Sequence, residues 1–139
     1  MLKSFEWRLP TTILFGPGKL NEIGKVAQGF GKRCLIVTTR PGPWNRAMVD
    51  RVGVLFAASG VESLWFSGVG GNPTTDQISA GAAAAREFRA DSVLGLGGGS
   101  AMDGAKAIAV EATHPGTAWD YLWFRETQPS SATLPVVAV

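Results

Sequence analysis

The sequence predicts an α/β fold: a parallel sheet with helices on both faces, behind an N-terminal β-hairpin. Three observations predict it. Apolar runs of strand length alternate with stretches of helical spacing along the 139 residues, the order that builds a parallel sheet. The run Arg33 to Thr38 (RCLIVT) is almost continuously apolar, as in a strand covered on both faces. The chain holds 18 glycines, well above the usual share of about 7%, which suits many tight strand–helix turns.

The elements follow in order. Phe5–Leu9 and Thr12–Phe15 read as two short strands about Pro10. Gly16-Pro17-Gly18 stops the second, and Pro17 suits the first turn of a helix, where its missing N–H costs nothing. Leu20, Ile23, Ala27 and Phe30 follow at helical spacing. After the strand Arg33–Thr38 comes a loop, Thr39 to Pro43, then a helix with Met48, Val52, Leu55, Phe56 and Ser59 on one face. Val61–Ser67 is the next strand and Gly68–Pro73 a glycine-rich loop. Thr74 with Gln77 matches a capping box, and Ile78, Ala82, Ala85 and Phe88 trace the helix behind it. Ser92–Leu96 is a further strand. The helix after it carries small residues inward, at Ala101, Ala105, Ile108, Ala109 and Ala112, so it can lie close to the sheet. His114 to Thr117 breaks that helix, Trp119–Phe124 is a short helical turn or an aromatic lid, and Thr127–Thr133 is a surface loop. Leu134–Val139 (LPVVAV) is a last buried strand.

Composition excludes several classes. A net charge of +2 with scattered Lys and Arg gives no electrostatic footprint for nucleic acid, and no aromatics alternate with the basic residues. No uncharged apolar run approaches the roughly 20 residues that span a bilayer, and the N-terminus MLKSFEWRLP lacks the apolar core of a signal peptide. A single cysteine, Cys34, permits no internal disulfide and reads as a reduced, buried strand residue. A cytoplasmic protein without nucleic-acid or membrane partners is expected.

The chemistry gathers in DSVLGLGGGSAMDGAKAIAVEA, Asp91 to Ala112. An apolar strand ends in Gly95, Gly97, Gly98 and Gly99, and Ser100 opens a helical stretch. N–H groups at a helix start are unpaired and the helix dipole adds positive character. Glycines remove the side chains that would hold a phosphate away, so the turn reads as a pyrophosphate cradle. Gly95-x-Gly97-x-x-Ser100 is one residue short of the dinucleotide fingerprint and follows about three strands instead of the first. The P-loop pattern fails, because Ala105 stands where its lysine belongs. Ser100 and Asp103 also match a helix-capping pair, which would orient the same turn.

These residues bring a family into view. ILFGPGKLNEIG (Ile13 to Gly24), CLIVTT, GGNPTT (Gly70 to Thr75), GGGSAMDGAKAIA (Gly97 to Ala109) and LPVVAV fall in one order across nearly the whole chain. In this the chain resembles the N-terminal domain of the iron-containing (group III) alcohol dehydrogenases, whose architecture glycerol dehydrogenases and dehydroquinate synthases share. The resemblance implies a Rossmann-like NAD(P)-binding domain over residues 1–139, followed in such enzymes by an all-helical metal domain. It implies alcohol oxidation or carbonyl reduction by hydride transfer, on a small alcohol or carbonyl substrate. Gly97, Gly98, Gly99 and Ser100 would hold the pyrophosphate, Asn72 would lie along the cofactor near its adenosine side, and Asp103 would order the loop and approach the cofactor. Many members follow the first parallel strand with an aspartate for the adenine ribose. Here Thr39 and Arg40 stand there, and an arginine accepts the 2′-phosphate that an aspartate repels. NADP is therefore expected over NAD.

Activating an alcohol hydroxyl calls for a Lewis acid held by converging His or carboxylate ligands. The chain has one histidine, His114, which reads as an exposed loop residue. The resemblance puts the ligands of the divalent metal, iron or zinc, in the helical domain, so no catalytic or metal residue is assigned here. Residues 1–139 are expected to be the cofactor half of an enzyme, truncated at the C-terminus and inactive alone. Two further readings are a stand-alone nucleotide-binding module and part of a dehydroquinate synthase-like enzyme. Trp119 and Trp123 read as core or interface packing, ahead of a substrate wall or a contact with the further domain, and the apolar surface that a truncated layer would expose favours self-association.

Overall fold

The structure, a computed structural model, describes all residues except Met1, Leu2, Lys3, Phe5, Trp7 and Arg8. Four parallel strands form one sheet: β1 (Arg33–Thr39), β2 (Glu62–Val69), β3 (Ser92–Gly95) and β4 (Val136–Ala138), in the order β2-β1-β3-β4. Four helices connect and flank them: α1 (Ile23–Gln28), α2 (Pro43–Ala58), α3 (Thr75–Phe88) and α4 (Gly99–Glu111).

Strand periodicity divides the core in two. Successive side chains of a strand point to opposite faces. Cys34 and Ile36 of β1 join Val49, Val52 and Phe56 of α2 and Ile23 and Ala27 of α1 on one face. Leu35 and Val37 join Ile78 and Ala85 of α3 and Ala105, Ile108 and Ala109 of α4 on the other. Both faces of the sheet are thus covered by helices, as the unbroken apolar β1 sequence requires.

Small residues set how closely these layers approach. Gly24 of α1 meets the Leu55 carbonyl and Ser59, and Gly81 of α3 meets the Ile108 side chain of α4. The capping box at Thr74 and Gln77 forms as expected. Glu111, buried at the end of α4, accepts the Ala118 N–H on its carboxylate at 2.8 Å, while its backbone carbonyl accepts the Arg86 guanidinium at 2.9 Å.

Several expectations need correcting. Thr12–Phe15 forms no strand; Ile13, Leu14 and Phe15 are exposed, with neither a paired ladder nor a face to bury against. Most of the proposed partner arm, Phe5–Leu9, lies outside the described residues. Pro17 is not in the first helical turn, because Gly18, at φ 78°, delays entry and a 3₁₀ turn over Lys19–Glu22 leads into α1. The proline that does open a helix is Pro43, at the start of α2. The segment after α4 holds a 3₁₀ turn, Ala118–Tyr121, and exposes Trp119, Trp123 and Phe124. His114 lies in the loop after α4 as expected, but half-buried and clamped instead of exposed. The Ser130 N–H donates to its Nε2 at 2.9 Å, which leaves Nδ1 to carry the proton and donate to the Val110 carbonyl at 2.8 Å.

Cys34 is fully buried, and burial pushes its thiol up from 9.0 to about 11. Because the folded thiol titrates above the unfolded one, its contribution to stability is complete below pH 9.0 and is lost as the pH climbs through about 11. Native chain at pH 8 is expected to resist iodoacetamide for hours, with full labelling once urea unfolds it, as read by mass spectrometry. Rapid labelling of the native chain would show that the α1–α2 face opens locally.

Candidate functional site

The topology itself marks a site. The chain leaves β1 for β2 on one side, then crosses back to β3 on the other. An open parallel sheet binds ligands outside the carboxyl ends of its strands, at the point where the order reverses. Here that point lies between β1 and β3. β1 ends at Thr39 and its loop begins with Arg40, the turn after β3 carries Gly97 to Ser100, and the loop after β2 carries Asn72. Three separate stretches of sequence therefore reach one end of the sheet.

At the β3–α4 turn the glycines have different tasks. A Cβ on Gly95 would lie 2.8 Å from the Met102 Cα and 3.0 Å from the Ala105 Cβ, so this glycine lets α4 rest on the strand. Gly97 sits at φ +133°, a backbone state that side-chain-bearing residues rarely adopt. Gly98 and Gly99 are ordinary in conformation, and a Cβ at either would meet nothing within 4 Å. The fold does not need a glycine at those two positions, and the space beside them is open.

The amides of the turn divide the same way. Leu96 N–H donates to the Val37 carbonyl at 2.9 Å and Gly97 N–H to Val139 at 2.8 Å, which ties the turn to β1 and β4. Ala101 and Met102 N–H both donate to the Gly98 carbonyl. Between them, the N–H groups of Gly98, Gly99 and Ser100 meet no protein acceptor among the described residues. They are the orphan donors of the first turn of α4, with the positive end of the helix dipole behind them.

The expected Ser100–Asp103 capping pair does not form. Gly98 is the N-cap, without a side-chain cap, and Ser100 lies inside the first turn. The Ser100 hydroxyl donates to the Gly71 carbonyl at 2.6 Å, joining the cradle to the loop after β2. Asp103 is exposed and pairs with Lys106 at 2.9 Å. A hydroxyl so close to a carbonyl 29 residues upstream is better satisfied there than by a local cap.

At the end of β1, Asn45 of α2 donates from Nδ2 to the Arg40 carbonyl at 2.8 Å and fixes the backbone of the loop. The Arg40 side chain is exposed and its guanidinium has no hydrogen bond or ion pair among the described residues. The neighbouring Trp65 indole donates to the Thr38 hydroxyl at 2.8 Å, and Arg46 stacks over the Trp65 ring. Sequence reasoning missed Asn45, Trp65 and Arg46, because their meeting depends on strand pairing and carries no local signal. Asn72 is exposed beside Pro73.

Two shallow, open concavities lie elsewhere. One is lined by Phe30, Lys32, Arg33, Glu62 and Asp91, the other by Gly53, Val61 and Phe88, both toward the amino ends of the strands. The β3–α4 turn, by contrast, is an open mouth with one wall of unengaged amides. Among the described residues no group of three His, Cys, Asp or Glu side chains gathers as metal ligands would, and no helix is long and apolar enough to cross a membrane.

Comparison with known proteins agrees with this geometry. A sequence model of the iron-containing alcohol dehydrogenase family matches residues 10–139. NADH-dependent butanol dehydrogenase A of Clostridium acetobutylicum is 31% identical over 136 residues, covering 98% of this chain and 34% of that protein. Among solved structures, an archaeal halo-thermophilic alcohol dehydrogenase from a Red Sea brine pool superposes with a TM-score of 0.90 at 31% identity, over 99% of this chain and 36% of that one. The sulfoacetaldehyde reductase of Bifidobacterium kashiwanohense, solved in complex with NAD+, superposes with a TM-score of 0.83 at 27% identity, over 98% of this chain and 35% of that one. The chain thus spans about a third of the length of these relatives. With a parallel sheet, a glycine cradle at its switch point and a family match over nearly its whole length, the chain belongs to the iron-containing alcohol dehydrogenase family.

Proposed function

We propose that these residues are the dinucleotide-binding part of an oxidoreductase that moves a hydride between a nicotinamide cofactor and a small alcohol or carbonyl compound. The observation that carries this reading is the row of unengaged N–H groups at Gly98, Gly99 and Ser100, facing space that no side chain fills. A pyrophosphate presents acceptor oxygens and negative charge, which is what such a helix start receives. The hydride chemistry is supplied by the dinucleotide when it is bound. The chain's own work is to hold and orient: Gly97 shapes the turn, the three amides receive the phosphates, and Asn72 and Asp103 lie at the rim along the cofactor. The family's metal, iron or zinc, has no gathered ligands among the described residues; the resemblance puts it in a helical domain outside them, and no step through it is assigned to this chain. A cytoplasmic setting belongs to the same reading.

Within this reading the cofactor is NADP. Arg40 offers an uncommitted guanidinium at the end of β1, on a backbone that Asn45 holds in place, and Thr39 adds no negative charge beside it. The NADH dependence in the name of the Clostridium acetobutylicum relative belongs to that protein. Arg40→Ala is expected to weaken NADPH binding about tenfold or more, the size of a charge-assisted hydrogen bond, and to leave NADH binding within about twofold. Calorimetric titration of both dinucleotides checks this. Equal affinities for NADPH and NADH in both proteins would remove the 2′-phosphate contact and leave the pyrophosphate cradle standing.

A further inference from the structure

We propose that Ser100 and Gln77 form a clasp that fixes the Gly70–Pro73 loop against the mouth of α4, so that both act on the cofactor as positioning residues. The proposal rests on the dinucleotide reading above. Gln77 does more than complete its capping box. Its Oε1 accepts the Thr74 N–H at 3.3 Å, the ordinary capping bond, and also the Gly70 N–H at 2.9 Å, while its own backbone N–H donates to the Thr74 hydroxyl. One carboxamide oxygen thereby holds both ends of the loop that carries Asn72. The Ser100 hydroxyl holds the middle, through the Gly71 carbonyl at 2.6 Å. The loop is pinned at Gly70, Gly71 and Thr74, and its central pin rises from the same turn that carries the free amides.

Proton counting assigns Ser100 its part. A serine hydroxyl has one hydrogen to donate, and here Gly71 receives it. The oxygens of an ionised pyrophosphate accept hydrogen bonds and have none to donate, so the hydroxyl cannot serve a phosphate without releasing the loop. The anion contacts at this position therefore fall to the backbone N–H, and the side chain sets where Asn72 stands relative to the cradle. The same counting covers Gln77. Its oxygen is used twice within the loop, and a Cβ on Gly70 would crowd its side chain at 3.2 Å, so the amide is seated directly on the loop backbone.

The test uses Ser100→Ala, Ser100→Thr, Gln77→Met and Gln77→Glu, with amide hydrogen exchange on the ligand-free chain and titration with NADPH. Gln77→Met removes the acceptor, and exchange at Gly70 and Thr74 is expected to quicken about fivefold or more, the effect of one lost hydrogen bond. Gln77→Glu keeps an acceptor and should exchange as the parent does. Ser100→Ala is expected to bind NADPH about five- to tenfold more weakly, with Ser100→Thr restoring affinity to within about twofold. The double variant of Ser100→Ala and Gln77→Met should lose less than the product of the single losses, because both pins hold one loop. Unchanged exchange in Gln77→Met, or equal affinity in Ser100→Ala and the parent, overturns the clasp and leaves the cradle intact. A parent chain that takes up no dinucleotide overturns the cradle reading, and the clasp's role toward the cofactor falls with it.

Discussion

Gly98→Asp is expected to separate folding from binding: thermal stability unchanged or raised by a few tenths of a kcal/mol, and dinucleotide affinity reduced about a hundredfold or more. Gly98 is the N-cap of α4, with φ −76° and ψ −179°, an extended conformation open to any residue, and a Cβ there meets nothing within 4 Å. Aspartate is among the best N-cap residues because its carboxylate accepts the second or third helical N–H, and negative charge at a helix start is favourable. For the isolated fold, then, glycine is the weaker choice. The same carboxylate would consume a donor and set a charge against the phosphates. Losing one charge-assisted hydrogen bond costs about 1.5–3 kcal/mol, and like charges near a protein surface at about 4 Å repel by roughly 4 kcal/mol. A hundredfold loss corresponds to about 2.8 kcal/mol, so it is a lower figure. Thermal melting and calorimetric titration read the two effects separately. Parallel losses of stability and affinity would mean that Gly98 serves packing, and undiminished affinity would end the cradle reading.

The residues that the sequence made legible are those whose environment is local. The unbroken apolar run of β1 announced a strand covered on both faces, the T-x-x-Q pattern announced the start of α3, and the small residues of α4 announced its close seat on the sheet. Where a distant partner decides the outcome, local grammar misleads. Thr12–Phe15 has strand-forming residues, but a strand exists only with a neighbour to complete its ladder. Ser100 and Asp103 spell a capping pair, yet the hydroxyl goes to Gly71 and the cap to Gly98. His114 reads as an exposed side chain until Ser130 closes over it. The site shows the same division. The glycine cluster pointed to the turn, but one letter stands for three tasks there: seating the helix at Gly95, turning the backbone at Gly97, and leaving room at Gly98 and Gly99. Only the positions of the neighbouring atoms tell these apart.

Gly95→Ala is expected to lower stability by about 1–3 kcal/mol, the usual cost of forcing a methyl group into a packed interior, and to weaken dinucleotide binding with it. Gly95 ends β3 beneath the first turns of α4, and the added methyl would sit 2.8 Å from the Met102 Cα, 3.0 Å from the Ala105 Cβ and 3.2 Å from the Ala101 carbonyl oxygen. Two of these are backbone atoms of a helix, so no rotamer change relieves the contact and α4 must move as a body. That helix carries the Gly99 and Ser100 amides and the Ser100 pin on the Gly71 carbonyl, so the displacement reaches the cradle. A second change, Ala105→Gly, removes the 3.0 Å contact but not the one with Met102, and should recover only part of both losses. Urea unfolding followed by NADPH titration of the refolded variants measures the pair. Gly98→Asp leaves the helix where it is and alters what it presents; Gly95→Ala keeps the donors and moves them. If Gly95→Ala unfolds at the same urea concentration as the parent, α4 is not seated by this contact, and the spacing between Gly95 and the cradle has to be explained by the ligand instead of by the packing of helix on strand.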